Sequence, residues 1–354
     1  MSEEENGLIL RFPKGRFICY CFFVARRLRT AEGTLRSSRL EAKTNKFCYG
    51  LKIMLMWLIV IILAYLFFGF ASLCDKLVLA GKPKPNSYTF YVGVFSLVVI
   101  ILMPFTKFSF PNGMGLAWII LDALVHIAGL YTMYVALEKF DVSRVIATIG
   151  ATQPVFIFVL TWIFWGPQAM PAIDILAFIF LLMGSIIISV EETPDLTGDY
   201  LKITILSSIM FSLDYIFAKF VFLSQTFLPG VIWIGIFIFL FALTLLLKKE
   251  SRKEIFSKQM VSDKKTQTIF ISAQASGGAA NFLQSFAISL APVAFLATVN
   301  SLRGIQYVFL FLATLFLSFF FPKILKEKIS KKIILQKIIS IILIVIGLAI
   351  LVAY

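Results

Sequence analysis

The chain has 354 residues, of which 60% are hydrophobic and only 15% charged, and its mean hydropathy is +0.93. A soluble fold of this length could not bury 38 Phe beside such long aliphatic runs, so the length counts membrane spans of roughly 20 residues each. The net charge of +14 then belongs to loops and flanks, where Lys and Arg meet headgroups, and gives no ground for a nucleic-acid partner outside the N-terminal tail.

Residues 1–53 read as a basic, disordered tail. Its apolar run, Phe17 to Ala25, is too short to span a bilayer. It ends in Arg26, Arg27 and Arg29 rather than at small residues, which argues against a cleaved signal. A surface-lying segment is the alternative, and so is initiation at Met54 or Met56. Cys19, Cys21, Cys48 and Cys74 form no CxxC pair, and the single histidine, His126, is remote from them. Neither a metal site nor a disulfide framework is expected.

Ten apolar segments follow, at 57–79, 88–103, 115–137, 145–165, 173–190, 201–223, 229–247, 268–290, 295–321 and 333–353. They are continuous and too long for barrel strands, so the expected fold is all-α and polytopic, with ten transmembrane helices. FFGFASLCDKLVL in span 1 resembles MFSLDYIFAKFVF in span 6, placing Lys76 over Lys219. ALEKFDVSRVIATIG likewise resembles AISLAPVAFLATVNS, and GSIIISV resembles GLAILVA. Five spans per unit invert the second unit, which predicts an inverted 5+5 repeat with halves 57–190 and 201–353.

These passages, with Gln153-Pro154-Val155-Phe156 and Phe321-Pro322 followed by Glu327, resemble the EamA-like branch of the drug/metabolite transporter superfamily. The resemblance covers residues 57–353 and leaves the tail outside. It implies a ten-helix carrier that holds amino acids, other metabolites or drugs between its halves. One position departs from the family pattern. Where a Glu is usual beyond span 4, this chain reads Trp165-Gly166-Pro167-Gln168, while Glu327 keeps the counterpart beyond span 9.

Ionisable groups within spans are costly and mark pathways, which makes them the site candidates. Asp75 and Lys76 close span 1, Asp214 and Lys219 lie in span 6, and all four are assigned to coupling or gating, with headgroup snorkelling as the rival for the first pair. Asp122 and His126 are four apart on one face of span 3 and join the same group, as a proton relay or a structural hydrogen bond. Gln274, Asn281 and Gln284, with Gly277 and Gly278, give span 8 a polar, closely packable stripe. Asn300, Arg303 and Gln306 follow at spacings of three in span 9. Arg303 is the expected carboxylate contact, an ion pair with Asp122 or Asp214 being its rival. Gln153 precedes Pro154, where a helix break would expose carbonyls to solute, a purely structural kink being the rival reading. The tryptophans read as interfacial anchors.

With no HExxH, GxSxG or Walker loop and a single His, no enzyme and no cofactor are expected. The expected function is secondary transport of a small polar or drug-like solute, an amino acid or related metabolite, across a plasma or inner membrane. Proton-coupled export is one mode this allows. A flippase or exporter of a lipid-linked headgroup is the alternative. Membrane lipids are the other partners, and a homodimer is compatible with the sequence. Basic loops and a basic tail fall on opposite sides, so the orientation stays open.

Overall fold

The first helix, α1 (Leu55–Cys74), turns Ile59, Leu63, Phe67 and Phe70 outward and buries Trp57, Leu58, Ile61, Ala64 and Tyr65. The outward set repeats at three and four residues, the spacing of one helical stripe, and its exposure marks a lipid-facing surface. The computed structural model describes residues 55–74, 84–140, 142–166, 172–189, 198–256, 264–320 and 331–353, and the regular structure among them is helical.

Local chemistry sets the ends. Helix α2 (Pro85–Phe95) starts with Pro at its first position and continues as a tighter 3-10 turn over Ser96–Phe105. Helix α3 (Gly113–Lys139) is capped by Asn112, whose Oδ1 accepts from Gly115 N at 2.6 Å. Helix α4 (Val142–Trp165) runs through Pro154 without interruption and stops at Gly166, whose φ of 81° suits glycine. The expected break at Gln153-Pro154 is therefore absent.

There follow α5 (Ala172–Ser189), α6 (Gly198–Ser224), α7 (Phe227–Thr244) with a 3-10 turn at Leu245–Leu247, and the short α8 (Lys249–Ile255). Then come α9 (Lys264–Leu290), a 3-10 turn at Val293–Phe295, α10 (Leu296–Ser301), α11 (Gly304–Phe320) and α12 (Lys331–Ala353). Eight helical segments among the described residues are long and apolar enough to cross a membrane. The protein is thus an integral, multi-pass, all-α membrane protein. Of the ten predicted spans, the fifth yields a shorter apolar helix, Asp174–Ile188, and the eighth, α9, carries too many polar residues to join the group.

The two halves of the sequence interleave. Helix α6 packs on α3 and α4, α12 packs on α5, and α7 packs on α2 and α3. Between helices in lipid, close packing and hydrogen bonds replace the hydrophobic drive. Gln336 and Lys337 of α12 donate to the Ile187 and Ile188 carbonyls at 2.6 and 2.5 Å, capping the C-terminus of α5.

Helix α2 gets no side-chain bond from its own N-cap, Lys84. Glu254 of α8 supplies one from across the molecule. Its Oε2 accepts from Asn86 Nδ2 at 2.6 Å, and its Oε1 accepts from Ser87 N at 3.2 Å. A carboxylate at a helix N-terminus also meets the favourable end of the dipole. Glu254→Ala should destabilise the detergent-purified protein by about 1 kcal/mol, the usual cost of a lost cap, read as an earlier unfolding midpoint. An unchanged midpoint would show that the contact contributes nothing.

Candidate functional site

Between α10 and α11 the helical ladder changes step. Arg303 N donates to Asn300 O at 3.0 Å, Ile305 N to Leu302 O at 2.9 Å and Gln306 N to Arg303 O at 2.9 Å, all three-residue bonds in place of four. The broken helix predicted for Pro154 is found here instead, where the sequence shows no proline to announce it.

Arg303 leaves this break and reaches α4, its Nη1 donating to Gln153 Oε1 at 2.8 Å. Gln153 is itself held in that orientation. Its Nε2 donates to Phe211 O at 3.2 Å, which leaves the amide oxygen for the guanidinium. Ser212 Oγ of α6 donates to the Gln153 carbonyl at 3.2 Å.

Tyr65 of α1 donates to the carbonyls of Val299 and Asn300 at 3.0 and 3.3 Å, and its hydroxyl lies 3.5 Å from that of Tyr215 on α6. Tyr307 of α11 donates to Ile146 O at 3.2 Å, and Gln306 donates to Ser72 Oγ at 3.1 Å. Asn300 is wholly buried, yet among the described residues neither atom of its side-chain amide has a hydrogen-bond partner of good geometry. Five helices thus bring one cation, an unsatisfied amide and three tyrosines to one place. Among the described residues no carboxylate lies within ion-pair distance of Arg303, so the rival pairing with Asp122 or Asp214 is not formed.

A second cluster joins α3 to α6. His126 Nδ1 lies 3.0 Å from Asp214 Oδ1, with Phe211 edge-on to the imidazole at 6.3 Å. The sequence spacing suggested Asp122 as the partner of His126. Instead the ring turns across to the neighbouring helix, because tight α3–α6 packing brings Asp214 within reach. Asp122 is 1% exposed, and among the described residues its Oδ1 has no hydrogen-bond partner. Its burial as a lone carboxylate would be costly.

Lys219 belongs to neither cluster. Its ammonium donates to the carbonyls of Ile288, Ser289 and Ala291 at 3.0, 3.2 and 2.6 Å, closing the C-terminus of α9. On α9 the buried face is formed by Ala273, Ser276, Ala280, Gln284 and Ala287. Ser276 Oγ donates to Phe67 O of α1 at 2.9 Å. Gln284 points inward with an unsatisfied Oε1, Gln274 is half-buried, and Asn281 is exposed. Gly277 and Gly278 have open space beside them, so close packing passes through the alanines and Ser276 rather than the glycines. Asp75, Lys76 and Glu327 lie outside the described residues.

The tyrosines were not singled out from sequence. Their signal was position: Tyr65 and Tyr215 sit well inside spans, away from the interfacial belt where tyrosine is common. Trp57 also departs from the anchor reading, being fully buried and 5.6 Å from the Phe295 ring.

The sequence matches no family model and no curated protein. One solved structure, described only as a crystal structure of a protein, superposes with a TM-score of 0.57 at 14% identity, covering 82% of this chain and 94% of its own. At that identity the likeness concerns the fold alone. The chain is a polytopic, all-α membrane protein.

Proposed function

We propose that this protein is a ten-span secondary carrier of the drug/metabolite transporter type, moving a small polar metabolite through a site between two inverted five-helix repeats. The solute bears a carboxylate, as amino acids and related acids do, and Arg303 receives it. The observation that carries the reading is Arg303 itself: a cation in the membrane interior, held by an amide, facing tyrosines and meeting no carboxylate among the described residues. Such a charge is costly at that depth unless an anion or water meets it.

The repeat is supported by reciprocal packing. A methyl on Gly184 would collide with Ile344 and the Ser340 carbonyl, while one on Gly347 would collide with Leu181. Ile344 precedes Gly347 by three residues, and Leu181 precedes Gly184 by three. A like relation links α2 and α7, where a methyl on Gly93 would lie 3.6 Å from the Ile238 carbonyl and one on Gly235 would lie 2.8 Å from the Ser96 carbonyl, each carbonyl three residues beyond the other glycine. A two-fold axis makes each residue meet the counterpart of what its own counterpart meets. Pairing α1 with α6, α3 with α9 and α4 with α10–α11 also carries the α4–α6 contact onto that of Tyr65 with α10.

Proteoliposomes test the function. External radiolabelled amino acids and small carboxylic acids should exchange for the same unlabelled solutes inside, without movement of fluorescent lipid between leaflets. Lipid movement without solute exchange would reject the carrier and favour the flippase.

A further inference from the structure

Asp122 and Arg303 pose the same problem with opposite signs. Among the described residues neither has an opposite charge within ion-pair distance, and one helix touches both neighbourhoods. On α6, Asp214 holds His126 beside Asp122, and the next residue, Tyr215, meets Tyr65 beside the α10 carbonyls.

Among the described residues, the groups around Asp122 supply no free cation. On its own helix, His126 is committed to Asp214. From α6 come Asp214 and Lys219, the latter bound to three carbonyls of the α9 end. Helix α7 contains no titratable residue, and the described side chains of α4 include none. The tyrosines of α2 are engaged elsewhere, Tyr88 packing at a tilt against Tyr134 with ring centroids 5.3 Å apart and Tyr91 donating to Ile255 O at 3.2 Å. With a proton on Asp122, the cluster comprises one neutral acid and one His–Asp pair and carries no net charge. Without it, a single negative charge is left in a buried place.

We propose that Asp122 is the proton-carrying residue of this carrier, loaded together with the solute carboxylate on Arg303, so that one proton and one monoanionic solute cross together. This rests on the carrier reading above. With both sites empty, Asp122 carboxylate and Arg303 guanidinium sum to zero. With both filled, each is neutralised in place. A half-filled carrier holds one net charge, which opposes its turning through the membrane, so movement is confined to the two balanced states. The Asp122 O–H bond breaks on release to water on the side the site faces and re-forms from water on the other; no other covalent bond changes. A net monoanion satisfies this balance, so among the carboxylates of the carrier reading Asp122 and Arg303 together select monocarboxylic acids and net-anionic amino acids over zwitterionic ones.

Infrared difference spectra of purified protein in nanodiscs, taken across a pH titration, test Asp122 without any solute. Wild type and Asp174→Asn should show a protonated-carboxyl C=O band that Asp122→Asn lacks; a band that survives in Asp122→Asn overturns the assignment. Should Asp122→Asn fail to fold, Asp214→Asn serves: it should move the pH at which the band titrates without removing it, and loss of the band would assign the proton to Asp214 instead. In proteoliposomes with acid outside, a pH gradient of about one unit should sustain about tenfold accumulation of labelled monocarboxylates in wild type. Asp122→Asn should show no accumulation. Accumulation driven by acid inside, or equal in the variant, overturns co-loading. If wild type fails even to exchange solute at equal pH, the carrier reading fails, while the infrared result still decides Asp122.

Discussion

Arg303→Lys should fold and bind its solute about tenfold to a hundredfold more weakly, and Arg303→Gln should abolish transport. A guanidinium offers five N–H donors in a rigid fork; here one is spent on Gln153, which fixes the plane and leaves a second edge for a carboxylate. Lysine keeps the charge and loses the fork. The loss is about one charge-assisted hydrogen bond, roughly 1.5–3 kcal/mol, which converts to the affinity range given.

Folded yield separates this from a structural role. If both variants lose folded protein together, Arg303 is a strap between α4 and the α10–α11 break, and the solute contacts must be sought at the Asn300 amide and the Gln284 Oε1, which lack partners among the described residues. If Arg303→Lys folds and binds like wild type, the carboxylate clamp is wrong. Gln153→Leu gives an intermediate check: the guanidinium stays but loses its orientation, so affinity should fall by less than in Arg303→Lys.

Much of the architecture was legible because lipid makes it so. Long apolar runs had to become helices, since every backbone group needs a partner inside the bilayer. The polar residues that meet at the site, Gln153, Asn300, Arg303 and Gln306, stood out as expensive guests in those runs. Partner choice was less legible. Spacing along α3 favoured Asp122 for His126, but periodicity ranks only neighbours on the same helix, and Asp214 arrives from another. The break beside Arg303 left no mark in composition, because a 3-10 step needs neither Pro nor a special φ. Tyr65 and Tyr215 leave no sequence mark for a related reason: aromatic residues are common in spans, and only their depth sets these two apart.

Lys219→Met should cost about 3 kcal/mol or more of stability and lower folded yield well before any transport assay is informative. The sequence placed Lys219 with the coupling residues, at a depth matching Lys76. In the structure its three donors are all taken by backbone carbonyls of the last turn of α9 and just beyond, which have no helical N–H to receive. Removing the ammonium leaves these buried acceptors unsatisfied, at about 1–3 kcal/mol each where water cannot replace the donor. Lys219→Arg should recover only part of the loss, because a planar fork cannot converge on three carbonyls as a compact ammonium does. Unfolding midpoints of the purified variants, compared with Asp122→Asn, would divide the two roles. If Lys219→Met keeps its midpoint and loses only gradient-driven accumulation, the lysine acts in coupling. A lowered midpoint, with pH-gradient dependence kept in whatever protein folds, assigns it to holding α9 against α6.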